Sequence, residues 1–251
     1  MNKKIWITGA SSGIGKSLAI KFANEGWQVA VSARRVELLD ELSKINPNIF
    51  SFPLDVTSRE SCFVTFNDIL KKFLNVDLCV FSTGTYDPKD EKQINLDQIE
   101  NVMKVNFFGT LNCIKAVESH FKNIKKGHIA IMSSVAGYRG LPNSSGYGPS
   151  KAALINLSES LYFDFKKHEV RVSLISPGFI KTPLTDKNTF KMPFLKSPEF
   201  AANKIYNGLV NSNSFEITFP KQLTIIMKIF KILPNKIYLY LINKLTKFQK
   251  F

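Results

Sequence analysis

The sequence has few residues of the kinds that form disulfides or bind metals, with three cysteines and three histidines among 251 residues. The cysteines (Cys62, Cys79 and Cys113) are widely spaced and form no C-x-x-C pair, and the histidines are scattered. The sequence therefore predicts neither a disulfide framework nor a zinc site. Cys79 lies in an apolar run, which favours a reduced thiol in the core of an intracellular protein.

Long hydrophobic runs are also missing. No stretch approaches the roughly 20 consecutive apolar residues of a membrane-spanning helix, and the N-terminus lacks the apolar region of a signal peptide. We therefore expect a cytoplasmic location, with peripheral contact with the inner face of the membrane as an alternative.

Acidic residues are absent from the last 35 positions, which carry seven lysines and so half of the net charge of +14. The remaining excess charge is spread along the chain without a basic stripe, and only five of the 34 basic residues are arginine. The sequence contains no nucleic-acid-binding motif, so we expect no nucleic-acid partner.

Strand-like and helix-like segments alternate along the chain. The β-rich runs are nearly continuous in Val, Ile, Leu and Phe, which is typical of parallel strands covered by helices on both faces. The predicted strands are Lys3–Thr8, Gln28–Ser32, Ile49–Leu54, Val76–Phe81, His128–Ser133, Arg171–Ile175 and Phe215–Phe219. The predicted helices are Gly13–Asn24, Val36–Leu42, Ser58–Phe73, Leu96–Phe121, Gly146–Lys167 and Pro198–Val210.

This alternation predicts an α/β protein with a doubly wound, seven-stranded parallel sheet of the Rossmann type. No linker rich in Pro, Gly or Ser divides the chain before about residue 220. We therefore expect a single catalytic domain over residues 1–219, followed by a helical C-terminal tail over residues 220–251.

A glycine-rich turn follows the first predicted strand, with glycines at positions 9, 13 and 15. Such a turn lets backbone amides approach a pyrophosphate at the positive end of the next helix. Glycine also precedes many helices that bind nothing. The position directly after an N-terminal strand favours a nucleotide site.

The end of the second strand predicts which cofactor is used. An NAD site usually has an acidic residue there, to bind the ribose hydroxyls, whereas this strand ends in Arg34 and Arg35. Guanidinium groups suit a 2′-phosphate. We therefore expect NADPH in preference to NAD, with Arg34 as the phosphate ligand and Arg35 as its support; the alternative is that both arginines are merely solvated at a helix start.

A Tyr-x-x-x-Lys pattern occurs at Tyr147/Lys151, Tyr162/Lys166 and Tyr240/Lys244, and the pattern alone has little weight in a lysine-rich chain. Only Tyr147 has a serine, Ser134, at the end of a strand 13 residues before it. Residues four apart share one helix face, so Tyr147 and Lys151 are expected to lie side by side.

With these elements the chain resembles the short-chain dehydrogenase/reductase family. The resemblance extends over about residues 3 to 219, through Thr8–Gly15, Asp55, Val105-Asn106, Ile131–Ser134, Ala136-Gly137, Tyr147–Lys151, Pro177-Gly178 and Thr182. It implies a catalytic set of Asn106, Ser134, Tyr147 and Lys151. It also implies a cofactor site formed by Gly9, Ser11, Ser12, Gly13, Ile14, Gly15, Arg34, Arg35, Asp55, Val56, Ser82, Thr83, Gly84, Asn106, Tyr147, Lys151, Pro177, Gly178, Ile180 and Thr182.

The resemblance implies a role for each catalytic residue. Tyr147 would be the general acid/base, Ser134 would hold the substrate oxygen, and Lys151 would lower the pKa of the tyrosine and bind the nicotinamide ribose. Asn106 would hold a water of a proton relay. A free tyrosine, with a pKa of about 10, exchanges protons poorly near neutrality, which is why a neighbouring ammonium is needed.

The resemblance also gives ligand contacts to Asp55, at the adenine, and to Ile180 and Thr182, at the carboxamide. The chain departs from the family where Ser82-Thr83-Gly84 replaces Asn-Ala-Gly, and where Ser12 replaces a basic residue that is a second NADPH signature. The cofactor prediction therefore depends mainly on Arg34.

The substrate is expected to bind near residues 183–195, which are rich in Phe, Met and Leu. Such a segment favours an apolar or lipid-like carbonyl or alcohol. Ordinary packing of a short helix is the alternative.

The tail predicts two amphipathic helices separated by Pro234. In the first, the polar positions Lys221, Thr224, Lys228 and Lys231 form one narrow stripe; in the second, the polar positions are Lys236, Tyr240, Asn243, Lys244 and Lys247. Wide apolar faces with only cationic charge suit an anionic bilayer. The alternative is that they cover the cleft or a neighbouring subunit.

We therefore predict an NADPH-dependent oxidoreductase that acts on a lipophilic substrate and assembles as a homodimer or homotetramer, as relatives commonly do. A second hypothesis is a nucleotide-binding scaffold or sensor on the same fold, attached to membranes by its tail. An isomerase or epimerase that uses a bound cofactor is a third, because a fold does not fix a reaction.

Overall fold

The computed structural model of the protein describes residues 2–86 and 94–246. Within these ranges, one sheet contains all seven strands, and every pair of neighbouring strands is parallel. The strands are β1 (Lys4–Thr8), β2 (Gln28–Ser32), β3 (Ile49–Ser51), β4 (Leu78–Phe81), β5 (His128–Met132), β6 (Arg171–Pro177) and β7 (Glu216–Phe219). Each one falls on a strand predicted from the sequence.

The α-helices of the described residues are α1 (Gly13–Asn24), α2 (Val36–Ile45), α3 (Arg59–Phe73), α4 (Leu96–Met103), α5 (Gly109–Ile124), α6 (Tyr147–Lys166), α7 (Pro198–Val210), α8 (Lys221–Ile232) and α9 (Asn235–Thr246). The predicted helix at Leu96–Phe121 is thus divided. A π-helical turn, Lys104–Phe108, joins α4 to α5, and such turns often mark functional positions.

The strand order is β3-β2-β1-β4-β5-β6-β7, which confirms the doubly wound Rossmann fold. The chain moves outward from β1 to β3, then crosses back to β4 on the other side of β1. In folds of this kind, ligands bind at the carboxyl ends of the strands, beside the point where the order reverses. The topology therefore places a ligand cleft beside β1 and β4.

The strands are buried on both faces because alternate side chains enter two separate cores. Ile5 and Ile7 of β1 face a core that includes α1 and α7, whereas Trp6 between them faces a core that includes α3 and α5. Trp6 stacks on Phe66 with ring centroids 5.6 Å apart. Cys79 is fully buried in the second core, in agreement with the sequence prediction.

The two tail helices pack against the body of the protein by one face each. Leu223, Thr224 and Met227 of α8 are buried, as are Tyr238 and Ile242 of α9. Thr224 was placed with the lysines in a polar stripe by its spacing, but it points inward at 1% exposure, with its hydroxyl 3.4 Å from that of Thr218. Lys247 and the rest of the predicted tail lie outside the described residues.

Arg139 holds the junction of the two tail helices. Its guanidinium donates to the carbonyls of Phe230 and Leu233, at 2.7 and 2.6 Å, and to the side chain of Asn235. It also lies 4.1 Å from the centroid of the Tyr238 ring. These contacts bind carbonyl groups at the end of α8, where the helix leaves hydrogen-bonding capacity unused. Among the described helices, none is both long and apolar enough to cross a membrane.

His128 gives a test of the buried sheet. Its ring lies 2.9 Å from the Ser173 hydroxyl, and burial, aided by Arg171, lowers its pKa to about 3. Histidine in the unfolded chain has a pKa near 6.5, so below that pH the unfolded chain binds a proton that the folded protein does not bind. We expect the free energy of unfolding to fall by about 2 kcal/mol between pH 7 and pH 5 through this residue alone.

Urea unfolding of the wild type and of His128→Asn at both pH values measures this effect. The variant should lose about 2 kcal/mol less than the wild type over this interval. His168→Asn, at a histidine outside the sheet, controls for the loss of any imidazole. If the free energy of unfolding falls equally in the wild type and in His128→Asn, the result would contradict the burial of a neutral His128.

Candidate active site

A cleft of about 320 Å³ opens at the carboxyl edge of the sheet, where the topology predicts a ligand site. All the residues predicted to bind the cofactor or to catalyse line it, except Asn106. They are Gly9, Ser11, Ser12, Gly13, Ile14, Gly15, Arg34, Arg35, Asp55, Val56, Ser82, Thr83, Gly84, Ser134, Tyr147, Lys151, Pro177, Gly178, Ile180 and Thr182. The fold thus brings segments from residue 9 to residue 185 to one surface.

The glycine-rich turn between β1 and α1 is closed by contacts that exclude side chains. Gly9 has a φ of +67°, and a Cβ on Gly15 would lie 2.3 Å from the Gly9 carbonyl oxygen. The turn can therefore bring the N-terminus of α1 directly under the cleft. The first turn of α1 contains no acidic residue, so the positive end of its dipole is available to an anion.

The two arginines after β2 have different surroundings. Arg35 donates hydrogen bonds to the hydroxyls of Ser11, at 2.8 Å, and Ser12, at 2.9 Å, and so ties the end of β2 to the glycine-rich turn. Arg34 is exposed, lines the cleft, and makes no hydrogen bond to any other residue that the structure describes. This leaves the guanidinium of Arg34 available to a ligand, with Arg35 beside it as a fixed cation.

Asp55 lines the same cleft, close enough to Arg34 to feel its charge. Burial would raise its pKa, but hydrogen bonds from the Thr57 backbone and hydroxyl, at 2.9 and 2.8 Å, together with the positive charges of Arg34 and Lys104, lower it below its usual value. Asp55 is therefore ionised at neutral pH and accepts hydrogen bonds only.

The departure at Ser82-Thr83-Gly84 is accommodated locally. The Ser82 hydroxyl donates to the Thr8 carbonyl at 2.6 Å, which joins the ends of β4 and β1. A Cβ on Gly84 would lie 3.6 Å from both the Lys151 Nζ and the Asn106 Oδ1. Gly84 therefore lies directly beside Lys151 and Asn106, at a distance that a small side chain would also permit.

Ser134, Tyr147 and Lys151 meet at the other end of the cleft. Lys151 is 3% exposed, donates to the Met132 carbonyl at 3.0 Å, and lies 5.5 Å from the centroid of the Tyr147 ring. Burial lowers the pKa of this ammonium to about 8. The Tyr147 ring also packs against Tyr86, with centroids 4.9 Å apart. The Lys151 ammonium and the Tyr147 ring therefore lie side by side in the cleft.

The N-terminal half of α6 is fixed against the end of β5. The Ser133 hydroxyl donates to the Lys151 carbonyl at 2.8 Å. A Cβ on Gly137 would lie only 2.6 Å from the carbonyl carbon of Lys151, so glycine is required for this close approach. The same contacts that place Lys151 therefore also position Tyr147, one turn earlier on the helix.

Asn106 lies behind the wall of the cleft, fully buried in the π-helical turn. Its Oδ1 accepts from the Thr85 amide at 2.7 Å, and its Nδ2 donates to the Thr85 carbonyl and to the Ser150 hydroxyl, at 3.1 and 3.0 Å. Asn106 thus holds Thr85, a residue of the cleft wall, against α6. It contacts the cleft through these neighbours.

Sequence reasoning assigned no role to several residues of the cleft wall, among them Thr85, Met132 and Ser133, whereas Thr185 lies in the predicted substrate segment. Thr185 donates to the Ile180 carbonyl at 2.6 Å and accepts from the Thr182 amide at 2.9 Å, and so shapes the loop after β6. The Thr182–Thr185 spacing could have signalled this local turn. No local signal marks Thr85, because its partner Asn106 lies 21 residues away.

Comparisons with known proteins show the family to which this chain is related. The family model for short chain dehydrogenases matches residues 3–192. An uncharacterized oxidoreductase of Myxococcus xanthus is 33% identical, over 92% of this chain and 93% of its own. The 3-oxoacyl-[acyl-carrier-protein] reductase FabG of Buchnera aphidicola is 30% identical, over 73% of this chain and 75% of its own. The solved structure of ElxO with NADP bound superposes with a TM-score of 0.76 at 26% identity, over 87% of this chain and 98% of its own.

Lys151→Met tests the burial of the ammonium. Lysine titrates near 10.5 when unfolded but at about 8 in the folded protein, so between these values the unfolded chain binds more protons and wild-type stability rises with pH. The variant lacks this rise. Relative to the variant, the wild type should gain about 2 kcal/mol between pH 7.5 and pH 9.5.

Urea unfolding at the two pH values measures the difference, and Lys126→Met, at an exposed lysine, serves as the matched control. If the difference in free energy of unfolding between the wild type and Lys151→Met does not change with pH, the result would contradict the burial of the Lys151 ammonium.

Proposed function

The chain belongs to the short-chain dehydrogenase/reductase family, and from this premise we propose that it is an NADPH-dependent oxidoreductase acting on the carbonyl or alcohol carbon of an apolar or lipid-like substrate. The family is enzymatic, and curated relatives of this chain are oxidoreductases. The observation that carries the proposal is the convergence of Ser134, Tyr147 and the buried Lys151 in the cleft that also receives the N-terminus of α1.

The residues of the cleft fit a nicotinamide dinucleotide phosphate. The glycine-rich turn and the positive end of α1 would hold the diphosphate, and Arg34 would bind the 2′-phosphate, supported by Arg35. At the adenine end of the cofactor, Asp55 and Val56 would contact the base. The family resemblance further assigns Ser82, Thr83 and Gly84 to the floor of the site and Pro177, Gly178, Ile180 and Thr182 to the nicotinamide end. When bound, the cofactor supplies or accepts the hydride.

The chain itself provides the proton and the geometry. We propose that the hydroxyls of Ser134 and Tyr147 both hydrogen-bond the substrate oxygen, and that Tyr147 transfers the proton to it in reduction or removes it in oxidation. The Lys151 ammonium stabilises the phenolate form electrostatically and would bind the nicotinamide ribose. Asn106, held between Thr85 and Ser150, is proposed to support a proton relay behind Lys151.

Apolar side chains around the substrate end support a lipophilic substrate. Pro183 and Leu184 line the cleft, and on the same loop after β6 the ring centroids of Phe179 and Phe190 lie 5.8 Å apart. Phe190, Phe194 and Leu195 are more than a third exposed, so this segment is not filled by ordinary core packing. An apolar ligand would cover the surface that these side chains leave exposed.

The tail is included in the proposal because it packs against the wall of this end of the cleft. A Cβ on Gly178 would lie 2.6 Å from the Leu223 side chain, so α8 packs directly behind the cleft wall. We propose that residues 1–219 form the catalytic domain and residues 220–251 form a tail that shapes its substrate end. The proposal places the protein in the cytoplasm, with its tail in peripheral contact with the membrane.

We also propose that the protein forms a homodimer or homotetramer. The resemblance implies pairing through the helices that are α4–α5 and α6 here, and these helices expose Phe108 at 53% and Phe163 at 71%. Burial of two such rings in a subunit contact would remove apolar surface from water.

Tyr147→Phe tests the reaction. The substitution removes the proton donor but keeps the ring that packs on Tyr86, so kcat/KM for NADPH-dependent reduction of medium-chain aldehydes and ketones should fall about a hundredfold or more. Binding of NADPH, followed by fluorescence, should persist.

Tyr162→Phe is the matched control, because Tyr162 and Lys166 have the same spacing on the same helix. It should leave kcat/KM within about twofold of wild type, as expected for a substitution away from the site. Activity that survives Tyr147→Phe would contradict the proposed role, and activity absent from the wild type would favour a nucleotide-binding scaffold.

A further inference from the structure

Helix α8 has two apolar faces. The inner face (Leu223, Thr224 and Met227) is buried against the body. On the opposite side, four isoleucines point to solvent, and we refer to them as the outer face. Their exposed fractions are 55% for Ile225, 40% for Ile226, 50% for Ile229 and 80% for Ile232. Isolated exposed apolar residues are ordinary, but four on one helical stripe indicate a binding surface.

The tail is held in one orientation, so the outer face cannot simply turn inward. Arg139 binds the carbonyl ends of α8, and Tyr238 of α9 donates its hydroxyl to the Gly140 carbonyl. Lys228 of α8 lies 2.6 Å from the Glu216 carboxylate, which also accepts from Ser176 at 2.9 Å. None of these contacts involves an isoleucine side chain, and all four isoleucines stay exposed.

The charge around the outer face has one sign. Lys228 is paired with Glu216, but Lys221 and Lys231 of α8 and Lys236 and Lys244 of α9 are exposed and have no acidic partner among the described residues. No acidic residue follows Glu216 in the sequence. A second copy of the chain docked tail to tail would bring these cations together without compensation, so the surface favours an anionic occupant over itself.

We propose that the outer face of α8 binds the surface of an anionic lipid bilayer, with the isoleucines inserted among the acyl chains and the lysines at the phosphates. Lysine stems suit this position because they lie along apolar surface while the ammonium stays at the headgroups. Leu223, on the inner face of the same helix, touches Gly178 of the cleft wall. The biological role of this binding rests on the proposed function, because binding would place the substrate end of the cleft beside a source of lipid-like substrates.

Vesicle flotation of the full chain tests the inference. Vesicles of phosphatidylglycerol and phosphatidylcholine in equal parts should bind the protein at least tenfold more tightly than phosphatidylcholine alone, and salt should weaken the binding. Ile226→Asn/Ile229→Asn should reduce the affinity on the order of tenfold or more, because it removes two apolar side chains that would be buried in the bilayer. The control, Ile45→Asn/Val64→Asn, changes two equally exposed apolar residues on α2 and α3.

A second pair of variants tests whether binding depends on the position of the lysines or only on the net charge of the protein. Lys231→Glu/Lys236→Glu should lower affinity for anionic vesicles by a factor on the order of ten or more, since each lysine near a charged surface contributes about 1 kcal/mol. Lys125→Glu/Lys126→Glu changes the net charge equally at the end of α5 and should have little effect.

Three outcomes would overturn the inference: no binding to anionic vesicles, binding that the control variants weaken as much as the tail variants, or a fall in the solution mass of the protein with Ile226→Asn/Ile229→Asn. The last would assign the outer face to a second copy of the chain. Flotation needs neither cofactor nor substrate. A negative flotation result would therefore not bear on the proposed oxidoreductase activity, and absence of that activity would not bear on membrane binding.

Discussion

The active site depends on the docking of helix α6 against the end of strand β5. Lys151 is buried there because its ammonium donates to the Met132 carbonyl while the Ser133 hydroxyl binds the Lys151 carbonyl. Gly137 permits the close approach. Tyr147 lies one turn earlier on α6 and Ser134 directly follows Ser133, so one packing contact positions all three side chains at the substrate end of the cleft.

The same arrangement explains why a costly buried cation is retained. An ammonium with its pKa lowered to about 8 destabilises the fold near neutral pH, which a purely structural position would not require. At the other end of the cleft, the open α1 dipole and Arg34 leave positive potential exposed to a ligand. The two ends together suit a long anionic cofactor whose reactive end meets a proton donor.

Much of the fold could be predicted from the sequence because parallel strands buried on both faces are nearly uninterrupted apolar runs. All seven strands were predicted in this way, and Tyr147 was separated from Tyr162 and Tyr240 by its distance from Ser134. The side-chain contacts could not be predicted, since they join residues far apart in the chain. The pairing of Asn106 with Thr85, and the division of the apolar surface of α8 into an inner and an outer face, follow only from tertiary packing.

Thr224 illustrates the limit of periodicity. Its spacing from Lys221 and Lys228 is that of one helical stripe, yet α8 is rotated so that Thr224 faces the sheet beside Thr218. Helical spacing identifies residues that share a face, but only the neighbouring surface determines which face is covered. The anchoring by Arg139, 91 residues before its partner Phe230, sets this rotation.

The most direct test of the account is thermal unfolding of the protein with NADPH, with NADH and without ligand. A ligand at about 100 times its Kd adds about 2.7 kcal/mol to the free energy of unfolding, a shift of a few degrees. The account predicts a larger shift with NADPH, and predicts that Arg34→Ala, unlike the exposed Arg59→Ala, removes that preference. An equal or larger shift with NADH would contradict the role of Arg34, and no shift with either would contradict the nucleotide site itself.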